Sequence, residues 1–330
     1  MYLSICIPTY NFDRYINDCI LSFFHQKITD KKINFEIVIG DSSSNNKTFK
    51  IIKRLKKKYR NLKYKRFNKK NGIDIDLEKT SKICKGKYIL FFSSDDQLVD
   101  GALEKIISFT KTNDTVYLFN RVICDKKLNI KKKTYWASKK LDNKVLHFNK
   151  KNTLKEYISN SYSIGSLFSY MSCIIVKNNS YKKAPIIKKF IGTNYLHAQK
   201  LISILSKKGN SLRYFADHLV LFRGDNDSFK KNGYINRIII DFYGYKLLYK
   251  RFFQKSFISK DFLNLMRREH KYYYLIRIGE FVETKNDWLS VEKFLKFYEY
   301  NQLQIMLIKY LGKSVILIDF LRKIKKFFNI

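Results

Sequence analysis

Short strand-like runs alternate with amphipathic stretches over the first 120 residues of the chain. Five runs predict β-strands: residues 3–7, 35–39, 62–67, 87–92 and 116–119. Each pair of successive runs is separated by enough residues for a helix or a long turn. Such alternation is typical of βαβ units, in which the strands are parallel and the helices cover the sheet. The pattern therefore predicts an α/β fold with a mostly parallel sheet flanked by helices.

The amphipathic stretches predict the helices. In the clearest one, apolar residues recur every three or four positions, which places them on one helix face: Phe12, Tyr15, Ile16, Cys19, Ile20, Phe23 and Phe24. The same reasoning predicts helices around Ile51–Tyr59, over residues 74–84 and around Leu103–Ile107. We expect Asp100 to cap the last of these, because an aspartate side chain accepts hydrogen bonds from first-turn amides.

The pattern changes after residue 120. Residues 124–155 are basic and polar, which predicts either an inserted loop or a pair of edge strands. Residues 157–176 carry no charge, but their serines make them too polar for a membrane span, so we expect a buried core segment. From Tyr234 onward, long aromatic and lysine-rich segments predict helices. We predict one domain over 1–230, with halves 1–120 and 121–230, and a helical region over 231–330.

Composition adds charge and compartment to this picture. The apolar fraction of 45% is that of a folded protein, and the net charge of +38 favours anionic partners such as phosphates, acidic lipid or nucleic acid. Compositional bias toward lysine on solvated faces would explain the same charge. The five cysteines are scattered without zinc-type spacing, and no secretory signal is visible, which together favour a reducing cytoplasm.

Polar residues follow four of the predicted strands directly. Ligands bind at the carboxyl ends of parallel strands, so these residues are candidates for a binding site. Any one group alone is typical of a turn or helix cap, but four groups at one sheet edge favour function. The candidates are Pro8, Thr9, Tyr10 and Asn11, then Asp41, then Asn71 and Asp74, and finally Ser93, Ser94, Asp95 and Asp96.

These segments resemble the family 2 glycosyltransferases. The resemblance is carried by SICIPTYN, EIVIGDSSSNNKT, NKKNGIDIDL and GKYILFFSSDDQLVDGAL, in order, over roughly residues 1–120. A weaker similarity to the abequosyltransferase-like branch covers FIGTNYLH and LFRGDNDSF. The resemblance implies a GT-A-like, Rossmann-like domain and sugar transfer from a nucleotide diphosphate sugar.

The resemblance also implies residues for the donor. In such enzymes the loop after the first strand and the aspartate after the second hold the nucleoside, which here would be Thr9, Tyr10 and Asp41. The full set expected at the donor is Pro8, Thr9, Tyr10, Asn11, Asp41, Asn71, Asp74, Ser94 and Asp95.

The acidic group after the fourth strand is implied to bind a divalent cation, Mn²⁺ or Mg²⁺, that bridges the donor diphosphate. Asp95 and Asp96 are the expected ligands, and Ser93 stands where the family usually has an aspartate. Two adjacent carboxylates suffice when water and phosphate oxygens complete the coordination shell. The other interpretation is an acidic turn that leads into a helix.

An inverting transfer needs a base to take the proton of the acceptor hydroxyl. Family members commonly place a carboxylate in the region that matches residues 192–197, where this chain has none. His197 is one candidate base, with a structural histidine as the other interpretation, and Asp225 or Asp227 is the alternative base. Arg223 is expected to face the phosphates. Ser166–Ser172 would lie near the acceptor or form a packed core segment.

The last residues suggest a location. Residues 303–330 mix apolar residues with Lys309, Lys313, Arg322, Lys323, Lys325 and Lys326. This composition suits a basic amphipathic helix on an anionic membrane surface, and an ordinary packed helix is the alternative. We expect a cytoplasmic protein, peripheral on the inner face of the cytoplasmic membrane.

The combined expectation is a metal-dependent, inverting glycosyltransferase that moves a sugar to a glycan or lipid-linked acceptor in bacterial surface-polysaccharide synthesis. Two alternatives remain open. Basic residues interleaved with aromatics, as in Tyr64–Phe67, are compatible with a nucleic-acid-binding protein, although no nucleic-acid motif is present and nucleic acid is not the expected partner. The missing carboxylates at Ser93 and Asn194 also allow a catalytically inactive binding module.

Overall fold

The structure is a computed structural model, and it describes residues 2–28, 34–224, 234–270, 272–314 and 320. Side chains are described in these ranges except at positions 234, 272–274 and 277. The chain divides into two compact units, Met1–Asn226 and Asp227–Ile330. The functional division predicted at residue 230, with halves 1–120 and 121–230, stays a prediction.

The first unit is built on a ten-stranded mixed sheet. Its strands are β1 Leu3–Thr9, β2 Phe35–Asp41, β3 Leu62–Arg66, β4 Tyr88–Phe91, β5 Gln97–Leu98, β6 Val116–Cys124, β7 Ile130–Thr134, β8 Val145–Leu146, β9 Ile174–Lys177 and β10 Leu212–Arg223. The order across the sheet is β3-β2-β1-β4-β9-β6-β10-β5. Strands β1 to β4 run parallel to one another, as do β6 and β10, while β9 is antiparallel to both β4 and β6. The predicted α/β class with a mostly parallel sheet is confirmed.

Helices flank this sheet. They are α1 Asp13–Phe24, α2 Lys47–Lys58, α3 Ile73–Ile83, α4 Ala102–Thr110, α5 Lys151–Ser159, α6 Asn178–Lys183 and α7 Leu196–Leu205. On α1, the predicted apolar face buries Ile16, Cys19, Ile20 and Phe23. The cap predicted for α4 is wrong. Gly101 occupies that position with a φ of 75°, a left-handed conformation that glycine adopts without a Cβ penalty.

The core lies along β1 and β2, which are buried at every position. Parallel strands covered on both faces need nearly continuous apolar sequence, which these strands have. Among their polar residues, Ser4 and Glu36 are hydrogen-bonded to each other. Ser4 Oγ donates to Glu36 Oε1 over 2.7 Å, and Glu36 Oε1 also accepts a hydrogen bond from the Lys85 amide at 2.7 Å. The buried carboxylate thus fixes the turn that leads into β4.

Residues 124–155 contain short strands and no long loop. β7 pairs antiparallel with β6, and β8 pairs antiparallel with β10, so the edge-strand alternative is confirmed. The uncharged stretch 157–176 forms the end of α5, two short 3₁₀ turns and the start of β9, and it is mostly buried, as expected. Within the described residues, no helix combines the length and the hydropathy that a membrane crossing needs.

The second unit is helical over its described residues, which confirms the predicted C-terminal helices. They are α8 Tyr234–Leu248 with a π-helical turn Tyr249–Phe253, α9 Ser259–Glu269, α10 Tyr272–Glu280, α11 Lys285–Phe297 and α12 Gln302–Leu311. Thr284 and Asn301 begin α11 and α12 with reciprocal capping boxes. Gly279 and Gly312 allow α10 and α12 to cross closely, since a Cβ on Gly312 would lie 2.5 Å from the Gly279 Cα.

Candidate active site

The candidate site is the sheet edge at which the carboxyl ends of β1, β2, β4, β6 and β10 meet. Because β9 runs in the opposite direction, the residues that precede it, Tyr170–Cys173, lie at the same edge. Polar residues from segments far apart in sequence therefore come together there.

Asp41, at the end of β2, is fully buried and held by three donors. Its Oδ2 accepts Tyr64 Oη at 2.8 Å and pairs with Arg66 Nη1 at 3.0 Å, and its Oδ1 accepts the Ser43 amide at 2.8 Å. Burial raises the pKa of Tyr64 to about 12, so that hydroxyl stays a donor. Sequence reasoning missed Tyr64 and Arg66 as site residues. Their spacing of two on β3, which puts both on one face of the strand, was the available signal.

The loop after β1 is tied to the loop after β2. The Asn11 amide donates to Ser43 Oγ at 2.8 Å, and Asn11 Nδ2 donates to Ser44 Oγ at 3.0 Å. Thr9 is buried, and its hydroxyl oxygen has no hydrogen-bond partner within the described part of the chain. Tyr10 lies under the Lys70 ammonium, 4.3 Å from its ring centroid, and Pro8 is part of the buried β1. The two loops thus form one connected surface.

Asn71 and Asp74 hold the surrounding segments together. Asn71 Nδ2 donates to Asp76 Oδ1 at 3.1 Å, and Ser42 Oγ donates to Asp76 Oδ2 at 2.6 Å. Asp74 accepts the backbone amides of Asn194 at 2.9 Å and Leu196 at 3.2 Å. Burial raises the pKa of Asp74. In this structure Asp74 caps the start of α7, and donor binding by Asn71 and Asp74 stays a prediction.

The two acidic residues after β4 lie in different environments. Asp95 is partly exposed, and one of its carboxylate oxygens accepts the Ser93 hydroxyl. Asp96 is buried. Its Oδ2 accepts the hydroxyls of Tyr170 and Ser172, the latter at 2.7 Å, and its Oδ1 accepts the Arg223 amide at 3.1 Å. Burial, and next the Asp95 carboxylate, raise the pKa of Asp96 to about 7.

This arrangement has a consequence for cation binding. Protein donors contact both oxygens of the buried Asp96, whereas Asp95 is partly exposed, and cation binding by the two residues stays a prediction. Within the described ranges, no three acidic, histidine or cysteine side chains cluster as a metal site. Mg²⁺ and Mn²⁺ accept one or two carboxylates when phosphates and water fill the remaining positions. The residues present therefore fit a cation shared with a diphosphate and do not form a protein cage for it.

Arg223, at the end of β10, is anchored in the same network. Its Nε donates to the Asp95 carbonyl at 2.8 Å, and its Nη1 donates to the Lys126 carbonyl at 2.6 Å. Its guanidinium also lies 4.4 Å from the centroid of the Tyr15 ring. Arg223 thus joins α1, the acidic turn and β10. Ser94 is buried beside them.

His197 is buried in α7, and its Nε2 lies 2.8 Å from the Phe168 carbonyl oxygen. Because a carbonyl only accepts, Nε2 carries the proton. Burial lowers the pKa of His197 to about 4. Asp225 and Asp227, the alternative candidate bases, lie outside the described residues. Of the Ser166–Ser172 segment, Ser166 packs in the core and Ser172 reaches the acidic turn.

Comparison with known proteins decides the family. The family model described as Glycosyl transferase family 2 matches residues 4–183. The chain belongs to glycosyl transferase family 2. Abequosyltransferase RfbV of Salmonella typhimurium is 30% identical to this family 2 glycosyltransferase over 276 residues, which are 83% of this chain and 82% of RfbV.

Two further similarities are informative. A Campylobacter jejuni GalNAc(5)-diNAcBac-PP-undecaprenol beta-1,3-glucosyltransferase is 24% identical over 191 residues, 55% of each chain. The crystal structure of S. aureus TarS 1-349 in complex with UDP-GlcNAc superposes with a TM-score of 0.61 at 14% identity, covering 98% of this chain and 91% of that one. This likeness confirms the GT-A-type fold of the family 2 enzyme.

The environment of His197 predicts a pH dependence of stability. Its pKa is lower in the folded state than in the unfolded chain, so the unfolded chain binds the proton more readily between about pH 6.5 and pH 4. The folded state therefore loses stability as the pH falls through this window. From pH 7.5 to pH 5 we expect a loss of about 2 kcal/mol from this residue, measured as urea unfolding free energies of wild type and His197→Asn. Equal losses in both proteins would show that His197 titrates freely, as an accessible base would.

Proposed function

We propose that this family 2 glycosyltransferase transfers one sugar from a nucleotide diphosphate sugar to a glycan or lipid-linked acceptor in bacterial surface-polysaccharide synthesis. The observation that carries the proposal is the partly exposed Asp95 carboxylate at the edge where the loops after β1 and β2 are tied together. The names of RfbV and the undecaprenol-linked glucosyltransferase, and the UDP-GlcNAc bound by TarS, support the substrate classes.

The donor is proposed to bind across the first three loops. Asn11 and the serines after Asp41 present a polar surface whose shape is fixed by their mutual hydrogen bonds. The buried Thr9 hydroxyl has no partner among the described residues, and a ligand would satisfy it. Tyr10 offers a ring face for the base, and the buried Asp41 pair with Arg66 supports the loop from below.

Asp95 is proposed to hold a divalent cation together with the donor diphosphate, and Asp96 to position the turn. When bound, the cation neutralises the charge that develops on the departing diphosphate. Arg223 fixes the Asp95 backbone through its carbonyl. The protein thus contributes one accessible carboxylate on a turn that the Asp96 hydrogen bonds hold in place.

A nucleotide screen tests the donor site. We expect one of UDP, CDP and GDP to raise the thermal unfolding midpoint in the presence of Mn²⁺, by about 5 °C at a hundredfold excess over the dissociation constant. The Asp95→Asn variant should lose the metal-dependent part of this shift, because it removes the accessible carboxylate. Differential scanning fluorimetry measures both proteins.

Asp100→Asn is the matched control, since Asp100 is an exposed aspartate five residues away, and it should keep the full shift. Absence of a shift with every nucleotide in wild type would overturn the proposed function. It would favour a nucleic-acid-binding or inactive protein instead.

We further propose that transfer is inverting and that Asp225 serves as the base. The lowered pKa of His197 and the engagement of its Nε2 by Phe168 oppose that role for the histidine. In sequence, Asp225 comes two residues after Arg223, which ends β10 at the site edge.

The base proposal predicts a specific kinetic defect. Asp225→Asn should lower the rate of sugar transfer by roughly 10²- to 10⁴-fold, while the nucleotide shift in unfolding midpoint is retained. The assay is donor hydrolysis, in which water replaces the acceptor hydroxyl, and its rate is measured from the nucleoside diphosphate that is released. Asp227→Asn is the control and should stay close to wild type. If Asp227→Asn were defective and Asp225→Asn were close to wild type, the base would be Asp227. If only His197→Gln were defective, the base would be His197.

The described part of the C-terminal region supports membrane-surface binding. One face of α12 is packed through Ile305 and Ile308. The opposite face exposes Leu303, Met306, Leu307 and Tyr310, at 64%, 46%, 44% and 65%. Lys309 and Lys313 lie beside this stripe, and the sequence continues with Arg322, Lys323, Lys325 and Lys326. An apolar stripe flanked by cations fits an anionic lipid surface, so we propose a cytoplasmic, peripherally bound enzyme.

Vesicle binding tests this surface. Wild type should co-sediment with vesicles that contain phosphatidylglycerol and be released by salt, because the attraction is partly electrostatic. Leu303→Ser combined with Leu307→Ser should weaken binding by about tenfold or more, since each exposed leucine contributes apolar area. Leu289→Ser, an exposed leucine on α11, is the control. Equal binding by all three proteins would contradict the assignment to α12.

A further inference from the structure

Arg121 on β6 lies among three aromatic rings. Its guanidinium carbon is 4.1 Å from the Phe222 ring centroid, 4.2 Å from Tyr170 and 4.9 Å from Trp136. The side chain is partly exposed, but its Nε is buried and has no hydrogen-bond partner. Within the described residues, no hydrogen bond or ion pair of this guanidinium is found.

The other three arginines on the strands of the sheet are different. Arg66 pairs with Asp41, Arg213 pairs with Asp114 at 2.5 Å, and Arg223 donates to two backbone carbonyls. Each of these guanidinium groups therefore has oxygen acceptors within the protein. In the part of the chain that the structure describes, the guanidinium of Arg121 contacts ring faces and no oxygen acceptor.

Ring faces stabilise the positive charge but leave the in-plane N–H groups without acceptors. In a cation–π contact the positive charge lies over the face of the aromatic ring, which offers no oxygen acceptor to the N–H donors of the guanidinium fork. A buried donor without an acceptor is unfavourable, because it has lost its hydrogen bonds to water. Three rings, with centroids 4.1, 4.2 and 4.9 Å from the guanidinium carbon, restrict the orientation of the side chain. Among the described residues, Arg121 is therefore a positioned cation without an anionic partner.

The position of Arg121 favours the acceptor as the source of that anion. β6 is separated from β4 by β9, so its axis lies about 10 Å from that of β4, at roughly 4.8 Å per strand spacing. A donor diphosphate at Asp95 with its sugar would occupy the space between. Tyr170 connects the two places, because its ring contacts Arg121 and its hydroxyl donates to Asp96.

We propose that Arg121 binds an anionic group, a phosphate or a carboxylate, on the acceptor and thereby makes the enzyme selective for a charged acceptor. Both groups present two oxygens that match the guanidinium fork. This inference rests on the proposed glycosyltransferase function, because it takes the Asp95 side of the site to be the donor side.

Binding measurements with simple probes test the proposal. Geranyl phosphate, methyl glucuronide and neutral methyl glucoside would be titrated into protein that contains Mn²⁺ and the nucleotide selected by the stabilisation screen. The Arg121 Nε–H signal in ¹⁵N NMR, assigned by its loss in the variant, reports the contact directly. We expect this signal to shift with one anionic probe and not with methyl glucoside. The probe that binds identifies the group as phosphate or carboxylate.

Arg121→Lys keeps the positive charge but loses the guanidinium fork, so we expect it to bind that anionic probe at least tenfold more weakly than wild type. The affinity of this variant for the nucleotide should be unchanged. Arg60→Lys, the same change at an exposed position, is the control and should bind like wild type. Thermal unfolding of both variants verifies that they fold.

Three outcomes would overturn the proposal. In the first, no anionic probe binds more tightly than methyl glucoside. In the second, Arg121→Lys binds the anionic probe as tightly as wild type. In the third, Arg121→Lys binds the nucleotide more weakly, which would assign the arginine to the donor. Failure of the proposed function is seen separately, as wild type that no nucleotide stabilises.

Discussion

The hydrogen bonds to the buried Asp96 carboxylate organise the candidate site. A carboxylate removed from water is unfavourable unless donors surround it, and here the donors come from the Tyr170–Ser172 segment and from the Arg223 backbone. Three segments of the chain are thereby fixed at one point, namely the turn after β4, the approach to β9 and the end of β10. Because Asp95 precedes Asp96 in the same turn, these hydrogen bonds also restrict the position of Asp95.

Two adjacent aspartates therefore lie in different environments. Asp96 is buried and accepts hydrogen bonds on both oxygens, whereas Asp95 is partly exposed. Asp41 is also buried, at the end of β2, where Tyr64, Arg66 and the Ser43 amide surround it. Side chains that are already paired do not need to reorganise when substrate binds, which is the condition for effective electrostatic stabilisation.

The positively charged residues also differ in their surroundings. Most of the positive excess resides in lysines, while three of the four arginines on the sheet hold acidic side chains or backbone carbonyls within the protein. Arg121 instead lies among aromatic rings, and its buried Nε has no hydrogen-bond partner among the described residues. A large net charge by itself indicates anionic partners in general. The contacts of single arginines distinguish those that are paired within the protein from Arg121, to which we assign an anionic ligand.

Local sequence determined the elements of this protein and the outline of its site. The three- and four-residue spacing of α1, the buried strands and the polar groups after them are properties of neighbouring residues, and so was the family resemblance over residues 1–120. One local prediction was wrong: the position that caps α4 is the left-handed Gly101 and not Asp100. The different environments of Asp95 and Asp96, the burial of His197 and the rings around Arg121 were decided by tertiary structure. Their partners lie far away in sequence, 74 residues from Asp96 to Tyr170 and 127 to Arg223. Burial and hydrogen bonding depend on those partners, and only the folded chain brings them together.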